Sequence, residues 1–307
     1  MTARSHGILL VDKPSGVTSH DVVAWARRTF DQREAGHAGT LDPMATGLLV
    51  VLLGEATKLS AYLTNQSKAY DATIRFGATT DSLDADGTIT ATSDAVPADD
   101  SIERELAAMV GPLEQIPPAV SAIKVGGVAM YERARRGETP EVAPRAVVLE
   151  SAKLNSVNGA ACEISIACSK GFYVRSLARD LAVRLGTLGY LTALRRTRSG
   201  TYAVSEGFDG ARLRAAAKEK DVDAREAAHR ALLPMGAASR AMKVRVVNED
   251  DANALAQGKR LAVEEPDDVM LVVRENLPDE PVCIGEIRDG VLKSARGFCW
   301  PSSNPPT

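Results

Sequence analysis

The sequence predicts an α/β protein with a second, smaller, mostly β domain toward its C-terminal end. Three observations carry this. Over roughly the first 235 residues, apolar runs of strand length are interleaved with apolar residues at helical spacing. After Pro234 and Gly236 the pattern changes to short Val-rich stretches near 244–247, 269–273 and 282–287, separated by polar turns. The chain has 307 residues, 45% of them hydrophobic, enough for one large domain with an appendage. The expected division is 1–237 and 238–300, with a disordered tail at 301–307.

The elements follow in order. Gly7 to Val11 is a short buried strand stopped by Pro14 and Gly16. Ser19 is expected to N-cap a helix that carries Val22, Ala26 and Phe30 on one side. A glycine-rich loop spans Ala35 to Gly47, and Leu48 to Leu53 is a continuous apolar run, hence a buried strand. Gly54 to Tyr62 begins a helix. Tyr70, Ala72, Ile74 and Phe76 then alternate with Asp71, Thr73 and Arg75, the pattern of a half-buried strand. A polar loop passes through Asp84 and Gly87. Asp100 and Glu103 form an expected capping box before Ile102, Leu106, Met109 and Val110, and Pro112, Pro117 and Pro118 end that helix. Residues 116–143 read as an insertion. Strands near Ala146 to Leu154 and Ala161 to Cys168 are joined by an Asn158-Gly159 turn. Leu177, Leu181 and Leu185 mark a helix closed by Gly186, and Ala211 to Leu233 is Ala-rich and helical. Asp289-Gly290 signals a hairpin in the C-terminal part.

Composition narrows the function. A net charge of -3 argues against a non-specific polyanion binder but not against a local basic patch. Such a patch exists: Lys170, Arg175, Arg179, Arg184, Arg195, Arg196 and Arg198 face only Asp180 between 170 and 198. The cysteines Cys162, Cys168, Cys283 and Cys299 form no C-x-x-C and read as free thiols in a reducing cytosol. His6, His20, His37 and His229 make no ligand-like cluster, so no catalytic metal is expected. No apolar run approaches the length of a membrane span or a signal peptide, and the expected location is the cytoplasm.

The loop Gly36-His-Ala-Gly-Thr-Leu-Asp-Pro-Met-Ala-Thr-Gly47 is the most informative segment. Its glycines permit close approach of a ligand, and Pro43 holds Asp42 away from helical geometry. A carboxylate on a stiff loop between helix and strand suits a nucleophile, although it also suits a turn cap. The pattern is not a P-loop, because G-x-x-x-x-G-K-[ST] is absent. The Asp84-Ala-Asp-Gly87 loop is no EF-hand, because Ser93 stands where a bidentate Glu belongs; it reads as a hydrogen-bonded turn.

That loop resembles the catalytic loop of TruB-type tRNA pseudouridine synthases, shared in part by guide-RNA-directed, dyskerin-like enzymes. The segments Leu10-Val-Asp-Lys-Pro-Ser-Gly16, Lys68-Ala-Tyr-Asp71, Ser169-Lys-Gly-Phe-Tyr-Val-Arg175 and Leu194-Arg-Arg196 resemble further motifs of the family, in family order. The resemblance implies a mixed, mostly antiparallel sheet with flanking helices, an RNA-binding thumb at 116–143 and a PUA-like C-terminal domain. It implies Asp42 as the catalytic aspartate, Arg175 as its partner and Tyr70 as the active-site tyrosine. Lys13 and Pro14 would shape the floor of the site, with Tyr173 and Leu194 beside the base. His37 would stand where the flipped nucleotide leaves the RNA. Lys124, Arg133, Arg135 and Arg136 of the thumb, and Arg179, Arg184, Arg195, Arg196 and Arg198 around the groove, would meet phosphates.

The implied activity is isomerisation of uridine 55 in the T stem-loop of tRNA, without cofactor or metal, by a monomer with no obligate protein partner. The chemistry breaks the N1–C1′ bond and joins C5 to C1′. A free carboxylate serves by attacking C6 of the base or by assisting departure from C1′. Burial raises a carboxyl pKa and a paired guanidinium lowers it; Arg175 with its planar fork suits that pairing better than Lys. A helper that binds and refolds tRNA without catalysis is the alternative of a different class. Asp42 discriminates, because a pure binder needs no carboxylate in that loop.

Overall fold

The computed structural model describes residues 5–118, 124–125, 128–129, 143–218 and 221–300. The chain begins with β1 (Gly7–Lys13), α1 (Ser19–Thr29), β2 (Ala35–His37) and β3 (Thr46–Leu53). After a 3-10 turn at Gly54–Leu59 come α2 (Ser60–Thr64), β4 (Lys68–Phe76), β5 (Ala78–Thr80), β6 (Ile89–Thr92) and α3 (Asp99–Ala108). Then follow β7 (Gly111–Gln115), β8 (Lys124–Val125), β9 (Val128–Ala129), β10 (Arg145–Asn158), β11 (Ala161–Cys168), α4 (Val174–Arg184) and β12 (Gly189–Ser199). The large part closes with β13 (Tyr202–Ala203), β14 (Phe208–Asp209), α5 (Gly210–Lys218) and α6 (Val222–Arg230). The C-terminal part holds β15 (Lys243–Val247), α7 (Glu249–Ala256), β16 (Leu261–Ala262), β17 (Asp268–Arg274), β18 (Cys283–Arg288) and β19 (Val291–Gly297).

A ten-stranded sheet runs β14-β1-β3-β12-β4-β11-β10-β7, with β2 beside β3 and β13 beside β12. Only the β1–β14 and β3–β12 pairs are parallel, so the sheet is mixed and mostly antiparallel, as expected. The C-terminal part is a five-stranded sheet, β15-β17-β18-β19-β16.

The apolar runs in β1 and β3 are explained by burial on both faces. Leu9, Val11, Leu49 and Val51 join Val22, Trp25 and Leu177 from α1 and α4. Ile8, Leu10, Leu48, Val50 and Leu52 point the other way and pack with Leu271, Val273 and Ile284 of the C-terminal sheet. One apolar cluster therefore joins the two parts.

Several local expectations need correction. The N-cap of α1 is Thr18, whose hydroxyl accepts from the Asp21 amide while Asp21 accepts from the Thr18 amide. Ser19 uses its hydroxyl elsewhere, accepting from the Leu41 amide at 2.9 Å and donating to the Leu41 carbonyl at 3.1 Å. It thus ties α1 to the glycine-rich loop. The Asp100–Glu103 box does not form; α3 begins at Asp99 after an extended Ala98 with no side-chain cap. Pro112 lies within β7, which tolerates it as the edge strand of the sheet. The Ala-rich stretch splits into α5 and α6. The hairpin turns at Gly159 and at Asp289-Gly290 appear where expected, with positive φ at all three residues.

Candidate active site

The loop between β2 and β3 carries Asp42 and is bound on several sides. Besides the Ser19 contacts, Lys13 reaches it from behind: its ammonium donates to the carbonyls of Pro14 (3.0 Å), Val17 (2.8 Å) and Pro43 (3.2 Å). Arg196 donates to Gly39 (3.1 Å), Thr40 (3.3 Å) and Leu48 (2.6 Å) carbonyls. Where the loop joins β3, Gly47 has φ +96, and a Cβ there would lie 2.3 Å from the Arg196 carbonyl oxygen. Only glycine fits at that contact.

Opposite the loop, the first turn of α4 presents Arg175 between two carboxylates. Its Nη2 donates to Asp42 Oδ1 at 3.0 Å, and its Nε lies 3.0 Å from Asp42 Oδ2. Its Nη1 is 3.2 Å from Asp84 Oδ2 and donates to the Ser82 carbonyl at 3.0 Å. Asp84 is fixed in turn by the Ser82 hydroxyl (2.5 Å) and the Asp86 amide (3.2 Å). Arg175 and Asp84 are almost fully buried, whereas the Asp42 side chain keeps 33% of its surface open.

That opening lies at the bottom of a cleft, so Asp42 touches solvent while protein surrounds it. Burial raises its pKa above the ordinary carboxylate value; Arg175 opposes the rise and Asp84 adds to it. The expectation that the guanidinium would hold the value down is met only in part, because desolvation is the larger effect. The result is a poorly solvated carboxylate aimed into a cavity.

The cavity measures about 670 Å³, within the usual span of small-molecule sites. Tyr70 from β4, Leu194 from β12, and Phe172 and Tyr173 before α4 form an apolar and aromatic slot beside Asp42. Tyr173 is positioned by Gln115, whose side chain bonds both its amide and its carbonyl. Burial pushes the Tyr70 phenol above its ordinary pKa, with Arg196 opposing, so the ring is neutral and suits stacking. Lys68 and Arg196 complete the wall, and Arg145 and Lys170 line the cavity as exposed residues.

Asp42, Tyr70, Arg175, Tyr173 and Leu194 therefore converge on one cleft. Other expected site residues fall elsewhere. Lys13 is wholly buried behind the cavity and its ammonium is bonded to three carbonyls, that of Pro43 beside Asp42 among them, so it braces the loop from below; Pro14 shares that turn. His37 ends β2 outside the cavity wall, edge-on to His20 at 5.7 Å. Its pKa is lowered to about 4, first by burial and then by His20 and Arg196, so it is uncharged at neutral pH.

The expected phosphate role of Arg196 is corrected: the side chain is buried and bonded to backbone carbonyls. Arg195, its neighbour, points the other way and grips Asp12 with two bonds of 2.9 and 2.7 Å. Arg179 pairs with Asp180 and donates to the Ile116 carbonyl, Arg184 lies 3.8 Å from Glu105, and Arg198 donates to the Gly200 carbonyl. Arg133, Arg135 and Arg136 lie outside the described residues, and Lys124 is described only as backbone of β8. Sequence reading missed Asp84, Phe172 and Lys68. The last two sit inside recognised motifs and were within reach; Asp84 carried only a turn signal. Among the described residues no group of three or more His, Cys, Asp or Glu side chains is placed to hold a metal ion.

Comparison with known proteins identifies the family and the fold. Residues 27–174 match the TruB family pseudouridylate synthase N-terminal domain. The tRNA pseudouridine synthase B of Paracoccus denitrificans is 40% identical over 296 residues, covering 95% of this chain and 96% of that protein. The protein of the same name from Leifsonia xyli is 44% identical, covering 83% of each chain. In fold, the chain resembles one from an H/ACA RNP bound to a substrate RNA containing 2′-deoxyuridine (TM-score 0.73, 21% identity, 98% of this chain and 87% of that one). It also resembles a chain of a Cbf5-Nop10-Gar1 complex (TM-score 0.69, 24% identity, 92% and 78%). Extensive identity along nearly the whole length, on the same fold, means that this chain belongs to the TruB family of pseudouridylate synthases.

Proposed function

We propose that this chain isomerises uridine to pseudouridine at position 55 in the T loop of tRNA, with Asp42 as the nucleophile acting on a flipped-out base. The observation that carries the reading is the Asp42 carboxylate, held by Arg175 in a cavity lined by Tyr70, Phe172, Tyr173 and Leu194. Tyr70 and Tyr173 offer flat faces to the ring, Leu194 bounds the pocket, and Arg175 keeps the carboxylate oxygens oriented. Flipping exposes the base at a cost of a few kcal/mol. The reaction is an isomerisation: the N1–C1′ bond breaks, a C5–C1′ bond forms, C5 loses its proton and N1 gains one.

On this reading residues 1–237 are the catalytic domain and 116–143 close over the T stem-loop, with Lys124, Arg133, Arg135 and Arg136 meeting phosphates. Residues 238–300 form a PUA-like module. The enzyme works as a cytoplasmic monomer; among the described residues no helix is long and apolar enough to cross a membrane.

The test is tritium release from C5-labelled uridine in an unmodified T-arm transcript. Wild type is expected to release tritium, and Asp42→Asn to lose at least about 1,000-fold in rate while still binding RNA. Binding by both proteins with release by neither would remove the catalytic reading for this substrate and favour the tRNA-folding helper.

A further inference from the structure

Two cations in the cleft wall have no place in the reaction described so far. Lys68 is 6% exposed and Arg196 is 1% exposed. Lys68 donates to the carbonyls of Thr64 and Gln66, both at 2.5 Å, and Arg196 to those of Gly39, Thr40 and Leu48. Among the described residues neither forms an ion pair with a carboxylate. The contrast with Arg175, whose charge meets two carboxylates, is direct. Both line the cavity, on β4 and β12, flanking Tyr70.

A buried cation without a counter-charge is costly to keep. Carbonyl dipoles hold these two in place but leave their net charge uncancelled. The wall beside the base is therefore positive before any substrate arrives. The isomerisation creates a matching charge. When N1–C1′ breaks, the electron pair remains on the uracil ring, spread over N1, O2 and O4; it is neutralised when C5 bonds C1′, C5 loses its proton and N1 takes one up. Fixed positive groups in a water-poor site are worth most against charge that exists only during reaction.

We propose that Lys68 and Arg196 form an electrostatic cradle for the negative charge that the uracil ring carries between the two bonds. The inference rests on the pseudouridine synthase reading of the cleft. It treats Lys68 as more than a cap on the end of α2. Burial and the nearby Arg196 lower the Lys68 pKa to about 8, so the ammonium is still charged at neutral pH.

The experiment compares T-arm transcripts carrying uridine or 5-fluorouridine at the target, under single-turnover conditions. Fluorine withdraws electrons and stabilises the ring anion without help from the protein. Loss of the starting nucleoside from a nuclease digest reads the step in both cases. Lys68→Gln removes the charge but retains an amide donor for the carbonyls, and Lys68→Met is run in parallel with melting curves for both. We expect the neutral variants to lose about 10- to 100-fold on uridine but less than about 3-fold on 5-fluorouridine, with unchanged RNA affinity. Lys68→Arg should recover most of the rate. Equal losses on both substrates, no loss on uridine, or no recovery by Lys68→Arg would overturn the cradle. An inactive wild type would instead overturn the underlying reading, and the cradle with it.

Discussion

Arg175 and Arg240 are both arginines held by carboxylates, yet they serve opposite ends. Arg175 sits in the cleft between Asp42 and Asp84. Arg240 ends the 3-10 turn that leads into the C-terminal sheet; it clasps Glu206 with bonds of 2.7 and 2.9 Å, donates to the Thr201 carbonyl and lies over the Tyr202 ring. The acids respond in opposite directions. Asp42 is raised because desolvation outweighs the guanidinium. Glu206 is lowered to about 2, chiefly by the Arg240 hydrogen bonds, because water still reaches it. The same chemical pair thus yields a carboxylate of raised pKa where it is enclosed and one of lowered pKa where it is open.

Breaking the enclosed pair should have the larger effect. Arg175→Lys keeps the charge but loses the planar fork; kcat for tritium release is expected to fall on the order of 100-fold, with little change in RNA affinity. A variant within threefold of wild type would mean that charge alone suffices. Asp84→Asn sharpens the comparison. It removes the second anchor of Arg175 and also a negative charge that raises the Asp42 pKa. We expect kcat to fall about 10-fold and the acid limb of the pH–rate profile to move to lower pH, since a less repelled carboxylate holds its proton less tightly. A limb that moves upward would show that loss of Arg175 orientation dominates.

Glu206→Gln should have the smallest effect. Activity should be unchanged, with a stability loss of about 1 kcal/mol at pH 7, appropriate to a partly exposed pair. Glu206 has a folded pKa below its unfolded value, so its contribution is present above about pH 4.5 and fades as pH falls toward 2. Thermal melts of wild type and variant should therefore converge in that window; a constant gap would assign the loss to packing on Tyr202.

How much was legible follows from the same residues. Asp42 and Arg175 stood in contiguous motifs, and the cleft does bring them together. Asp84 carries the signal of a turn residue, which it is. Its second role depends on the 80–88 loop lying along β12, where the Leu191 amide bonds the Leu83 carbonyl, a contact between distant parts of the chain. Arg196 was misplaced for a different reason. Strand β12 carries no clean period-two signal: irregularities at Leu191/Ala193 and Arg196/Arg198 break its alternation and a buried arginine stands on its apolar face, so the sequence does not separate inward Arg196 from outward Arg195. Thr18 and Ser19 are both competent caps by residue type; the reciprocal bonds with Asp21 assign the cap to Thr18, and the Leu41 contacts occupy Ser19.

Gly47 carries a consequence for inheritance. Every missense change in a glycine codon adds at least a β-carbon, and here that atom would meet the Arg196 backbone at 2.3 Å in a conformation that other residues resist. Thr40, in the same loop, is exposed at the cavity, where no backbone crowds its side chain. In lineages descending from this gene, the joint that seats the Asp42 loop on the sheet therefore stays closed to change.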